Sequence, residues 1–251
     1  MKLSGTDLCL HIETDTISPT KFVRDLGVVL DNELSMTTHA NKISGICFYR
    51  LWRVKNIRRI IGPEITARLL SAYIISGIDY FNSTLAGLHK FTTALLQRVQ
   101  NSAAGLVKRS GTRVPGPLVH ISSALRDLHW LPANFRIIIK LCLMMHTAHN
   151  HRCPVYIIKL VTSTASISSR SRLCLSIINR YEVPKTRRNL GESTFSVASP
   201  TAWNNLSEEI FDIREIYTFK SKLKTLLPTF INSVIRISSQ WWRHVLHCLW
   251  L

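Results

Sequence analysis

The sequence predicts a mainly α fold: a small N-terminal β element, then a helical bundle, then a second α region with short strands. Three observations predict it. An alternating stretch and a β-branched, apolar run carry the chain to Asp31, a helical period takes over from Thr37, and proline or glycine punctuates the apolar-periodic runs beyond.

The β element comes first. "LCLHIE" alternates, "TDTISPT" is turn-like, and "FVRDLGVVLD" is β-branched and apolar as far as Asp31. From Thr37, Ile43, Ile46, Cys47, Leu51, Val54 and Ile57 form one helical stripe about 140° wide at ~100° per residue. Arg50 falls inside that stripe. Pro63 with Glu64 beside it suits the first turn of a new helix, which "ITARLLSAYIISGIDYF" continues. A third helix over "FTTALLQRVQNSAAGLVKR" is stopped by "SGTRVPGP". "ISSALRDLHWLP" predicts a short helix closed by Pro132, and "ANFRIIIKLCLMMHTAHN" a longer one, apolar nearly all round and so central in a core. "VYIIKLV" is another short helix. Residues 162–198 read as loops with two short strands, "LCLSII" and "TFSVA". "SPTAWNNLSEEI" starts a helix, "YTFKSKLKTLL" makes another, and an apolar, basic tail follows Pro228 with Trp241, Trp242 and Trp250.

The formal charge is +17, from 32 Lys+Arg against 15 Asp+Glu, which points to a polyanionic partner, nucleic acid before an anionic membrane. The excess belongs to the helices. No acid occurs between Glu33 and Glu64, where Lys42, Arg50, Arg53, Lys55, Arg58 and Arg59 do. "YRLWRVKNIRRI" interleaves Tyr49 and Trp52 with these cations, as a face that follows a phosphate backbone requires. Its competing reading is Trp52 in the core with merely solvated cations. "VKRSGTR", with Lys108, Arg109 and Arg113, and "PKTRR" are similar but less specific. Trp130 and Trp203 read as core anchors. The cysteines Cys9, Cys47, Cys142, Cys153, Cys174 and Cys248 are scattered, with no C-x-x-C, and read as reduced thiols, mostly small core residues. "MKLSGTDLCLHIETD" has no apolar run of a secretory signal, and no window is apolar enough to span a membrane, so an intracellular protein of cytoplasm or nucleus is expected.

Enzymatic signatures are missing. "HTAHNHRCP" gathers His146, His149, His151 and Cys153, but the spacing H-x2-H-x-H-x-C fits no compact metal motif, so helix-end histidines are expected and no metal. No G-x-S-x-G, phosphate loop or G-x-G-x-x-G occurs, which leaves no small-molecule substrate in view. No two aspartates are adjacent, and Glu208-Glu209 is the one adjacent acidic pair.

Six stretches in order carry a family resemblance: "VRDLGVVLD", "SGIDYFNSTLAGL", "LQRVQNSAAGLV", "LHWLPANFRIIIKL", "VPKTRRNLGESTFSVASPTAWNNL" and "FKSKLKTLL". Together they resemble the C-terminal part of the reverse transcriptase of non-LTR (LINE-type, jockey-like) retrotransposons, over roughly residues 8–228. The resemblance implies that residues 1–35 are the end of the polymerase palm, 36–115 a thumb-like helical region and 116–228 the helical region after it, with 229–251 outside. It implies RNA or an RNA–DNA hybrid as partner, held without sequence preference. The family's catalysis rests on an aromatic-Ala-Asp-Asp turn and a further aspartate that hold two Mg²⁺ ions. Those carboxylates are not in this sequence, so a catalytically incomplete fragment without cofactor is expected, with Mg²⁺ belonging to the intact parent enzyme only. Gly77, Phe81 and Gly105 stand where the family usually has Arg, Cys and Arg. The alternative is a domesticated or fossil non-enzymatic interaction protein, and a third reading has the tail touch membrane surfaces.

Overall fold

A computed structural model describes residues 9–13, 15–18, 20–87, 90–108, 121–166, 179–187 and 189–226. It is mainly helical, with a small antiparallel strand element before the helices, as the sequence predicts. Two compact units are present: Met1–Phe81 with Leu88–Trp130, and Asn82–Gly87 with Leu131–Leu251.

In the first unit, β1 (Leu10–Ile12) pairs with β2 (Asp15–Ile17), and β3 (Phe22–Asp25) with β4 (Val28–Asp31), both antiparallel. Two expectations are corrected. "TDTISPT" contains β2, because backbone pairing with β1 accepts the residues Asp15–Ile17 whatever their turn preference. "FVRDLGVVLD" is a hairpin rather than one strand. Leu26 (φ 45°) and Gly27 (φ 85°) form its two-residue turn, and two successive positive φ values match the twist of the flanking strands. The Tyr80 hydroxyl donates to the Leu26 carbonyl. Val28 and Val29 are buried against the first helix, while Phe22 and Val23 on β3 are exposed.

Asp31 joins the hairpin to that helix. Its carboxylate accepts from Ser35 N (2.6 Å) and Ser35 Oγ (2.7 Å), tying down the turn that opens α1 (Thr37–Leu70). Gly62 (φ 74°, ψ 173°) breaks α1, and Pro63 restarts it at a position that needs no N–H donor. Thr66 Oγ1 donates to the Gly62 carbonyl at 2.6 Å and holds the corner. The helix continues through a π turn (Ser71–Ile75) into α2 (Ser76–Asp79). Arg50 reaches the Tyr73 carbonyl, and a Cβ on Gly77 would stand 3.7 Å from Cys47 Sγ, so the two arms run antiparallel about Gly62. α3 (Lys90–Lys108) packs mainly on α1, and α4 (Ile121–Asp127) on α3. Leu51, Leu70, Ile74, Ile78, Leu96, Val99 and Ala103 are buried, with Trp130 at the end of the unit.

The second unit forms around α5 (Ala133–His149), which is central as expected. Ile139, Cys142 and Met145 on α5 meet Trp203, Ile210, Phe211, Phe219 and Leu223 in one apolar cluster. Burial pushes the Cys142 thiol up to about 12. A 3₁₀ turn (Asn82–Leu85) packs on α5, and α6 (Val155–Ile158) follows it. The "TFSVA" strand is corrected to helix: after α7 (Asn189–Glu192), α8 spans Phe195–Asn204. Thr194 stays extended and its carbonyl accepts from Ala198 N at 2.9 Å. Val197, Pro200 and Trp203, three apart, then bury one face, so helical spacing outweighs the β-branched character of Thr194 and Val197. "LCLSII" lies outside the described residues. Pairing among the described residues of this unit is one bridge, Ser163 with Tyr181. Asn204 completes it: its amide donates to the Tyr181 carbonyl (2.7 Å) and accepts from Tyr181 N (3.0 Å). A 3₁₀ turn (Glu208–Ile210) leads to α9, residues 216–226. No helix among the described residues is long and apolar enough to cross a membrane.

Candidate nucleic-acid interface

The long first arm of α1, residues 37–61, presents the basic segment. Its buried stripe is Ala40, Ser44, Cys47, Leu51 and Val54. That is rotated by about 50° from the predicted stripe at ~100° per residue, and leaves Ile46 (42% exposed) and Ile57 (44%) in water. The rotation decides where each cation goes. Arg53, Lys55 and Arg59 are exposed on the side that carries Tyr49 and Trp52. Arg58 falls on the bearing of the buried stripe and is half-buried. Arg53, Lys55, Arg58 and Arg59 form no ion pair among the described residues.

Trp52 is not in the core: it and Tyr49 are each 59% exposed. Their rings lie 6.3 Å apart between centroids with planes 25° apart, a stacked pair on the surface. Two large aromatic faces kept in water beside unpaired cations make a platform on which a further planar group can stack.

Arg50 is exposed but engaged within the chain. Its Nη1 donates to the Tyr73 carbonyl at 2.7 Å, and its guanidinium carbon lies 5.9 Å from the centre of the Tyr73 ring. It ties the two arms of the hairpin together. Lys108 is similarly used: Nζ donates to Asp127 Oδ2 at 2.6 Å, linking α3 to α4. That hydrogen bond, then the Lys108 charge, holds the Asp127 carboxyl below its usual range. Arg109 and Arg113 lie outside the described residues. The structure therefore keeps Trp52, Arg53, Lys55 and Arg59 exposed on the outward half of α1, with Arg53 and Lys55 toward its opposite edges about 160° apart at ~100° per residue, and gives Arg50, Arg58 and Lys108 other surroundings.

The histidine-rich stretch ends α5. His146 is buried, with Nε2 2.6 Å from the Ile213 carbonyl and its ring stacked on Phe219 at 4.2 Å. His149 Nδ1 lies 2.9 Å from the Tyr181 hydroxyl, and its ring is 5.4 Å from that of Trp203. Burial, with His146 and His151 nearby, pushes the His149 pKa down, against an opposing pull from Asp212. His151 takes a left-handed conformation (φ 54°) just past the helix. Its N–H donates to the Ala148 carbonyl (3.1 Å) and Arg152 N–H to the Thr147 carbonyl (2.8 Å), a Schellman closure without its usual glycine. Among the described residues no three His, Cys, Asp or Glu side chains converge as metal ligands would. What sequence reasoning missed here is Arg214. It lies far along the chain, yet Arg152 Nη1 sits 3.4 Å from its carbonyl.

Compared with family models, curated proteins and solved structures, the chain shows no match.

Proposed function

We propose that this chain is a catalytically incomplete fragment of a non-LTR retrotransposon RNA-directed DNA polymerase. It would act in cytoplasm or nucleus as a sequence-nonspecific binder of RNA or an RNA–DNA hybrid. The observation that carries the proposal is the outward half of α1, where Arg53, Lys55 and Arg59, without an ion pair among the described residues, flank the exposed Tyr49–Trp52 pair. Residues 49–59 cover about 15 Å of helix at ~1.5 Å per residue. The three cations spaced along it can each meet a backbone phosphate. Cations so placed neutralise backbone charge and read no base, and the two rings add stacking that tolerates any sequence. Without adjacent aspartates to hold two metal ions, this face binds and does not polymerise.

A specific observation favours the second reading, a non-enzymatic interaction protein. Ile46, Phe48, Ile57 and Ile60 are exposed on the same arm, and such apolar surface suits a protein partner. One titration separates the two. Hybrid binding measured by fluorescence anisotropy from low to high salt should give a slope of log affinity on log salt that flattens in R53Q/K55Q/R59Q. The expected change is about two to three units if each cation meets one phosphate. Controls at Lys159, Lys220 and Lys222, exposed elsewhere, should leave the slope within about one unit. Equal flattening by both sets would reduce the face to general basic attraction. Primer extension above a heat-killed sample would refute the catalytic half of the proposal.

A further inference from the structure

A second concentration of positive charge lies in the other unit. A shallow concavity of about 350 Å³ is lined by His149, Asn150, His151, Arg152 and Arg214. Two segments build it: the turn that closes α5, and the stretch before α9. They are fastened to each other beneath the concavity. The His146 ring reaches the Ile213 carbonyl and stacks on Phe219, and Arg152 lies against the Arg214 backbone. The buried His146 thus sets the spacing of the two segments, and the exposed Arg152 adds to it.

The end of a helix is ordinarily a poor place for an anion, because its last carbonyls carry partial negative charge. Here several of those carbonyls are occupied. Asn150 N and Nδ2 both donate to the His146 carbonyl, His151 N to Ala148 and Arg152 N to Thr147. Left-handed His151 turns the chain back over the helix end and sets Arg152 beside Arg214. Neither arginine has an ion-pair partner among the described residues. The carboxylate felt nearby is Asp212, exposed and acting on His149, and it pairs with neither arginine. Two arginines bring positive charge to one hollow, with two imidazoles and an amide among its lining residues.

From this arrangement we infer that the hollow between the end of α5 and Arg214 is a second binding site, for a phosphate oxyanion. Arg152 and Arg214 would hold the oxyanion by charge-assisted hydrogen bonds, and the planar fork of each suits two of its oxygens. The group can be free phosphate or a phosphodiester of a nucleic-acid strand. It is independent of the α1 face.

The test uses the full chain and two probes at matched ionic strength, inorganic phosphate and a dinucleoside monophosphate without a terminal phosphate. Binding is read by isothermal titration and by chemical-shift changes of the histidine rings. The chain should bind at least one probe in the millimolar range, with His149 and His151 resonances moving. Affinity should fall at least about tenfold in R152Q/R214Q and partly return in R152K/R214K. Phosphate binding alone identifies a free anion or terminal group, and dinucleotide binding identifies the strand. R53Q/K55Q/R59Q should bind the probes as the parent chain does, and this holds whether or not the α1 face binds hybrid. Unchanged binding in R152Q/R214Q, loss of binding in R53Q/K55Q/R59Q, or no binding of either probe each overturns the inference. Both arginines are exposed, so the variants should keep the fold, which circular dichroism checks.

Discussion

Replacing His151 with glycine should stabilise the second unit, and the size of the gain follows from one dihedral. His151 closes α5 with φ 54°, where an L side chain crowds its own carbonyl. That conformation costs a non-glycine residue about 1–2 kcal/mol. Glycine would relieve it, but would also add about 0.4–1 kcal/mol of backbone entropy to the unfolded chain. The net gain is on the order of 0.7 kcal/mol. The side chain is exposed, so little packing is lost. A gain of that size should raise Tm by about 1.5–3 °C in a unit of this length. Differential scanning calorimetry of H151G beside H151A is the assay. Alanine keeps the positive-φ cost and removes the imidazole, so H151A should match the parent within about 1 °C. A Tm for H151G at or below that of H151A would refute the reasoning, since the left-handed turn would then carry no cost that glycine relieves.

Two further outcomes are expected. His39 Nδ1 accepts from Val29 N–H at 3.2 Å and must be unprotonated to do so; burial, then Lys42, lowers its pKa from 6.5. Its contribution is therefore fully present above pH 6.5 and is lost as pH falls from there toward the folded-state pKa. The urea midpoint should drop between neutral and mildly acidic pH in the parent chain and less so in H39Q; parallel curves would count against it. Trp203→Ala should cost about 3–5 kcal/mol in urea unfolding. It opens the apolar cluster and strips the Asn179 carbonyl of its 2.9 Å bond from Nε1. A cost below about 1.5 kcal/mol would show that the cluster collapses around the gap.

Much of the helical architecture was legible because local and global signals agree. Pro132 and an apolar run delimit α5, and Gly62-Pro63 mark the corner of the hairpin. Trp130 and Trp203 are buried as their setting suggested, and so are Cys47 and Cys142, while Cys9 is exposed. The turn at Leu26–Gly27 was hidden because Leu is an unusual partner for Gly in a two-residue loop. The start of α8 was hidden because Thr194 and Val197 favour strands and a proline such as Pro200 suits the first turn of a helix better than its interior. The basic segment was legible as a patch but not residue by residue. Which isoleucines of α1 face inward depends mainly on α3, an element remote in sequence, and that packing moved Arg58 off the open face. The hollow beside α5 was invisible because Arg214 joins it only through folding.

The chain passes between its two units more than once, and this bears on how the molecule can be dissected. Asn82, Leu85 and Ala86 are buried in the unit that otherwise begins at Leu131, and their turn packs on α5. A piece expressed from Leu131 onward would lack that turn and lay bare the surface of α5 beneath it. A piece ending at Phe81 would lose α3, the main support of α1. No single cut frees either unit whole. Limited proteolysis should accordingly yield nicked molecules whose fragments stay together until denatured, and splitting the gene at one point should yield two insoluble halves that become soluble when produced together.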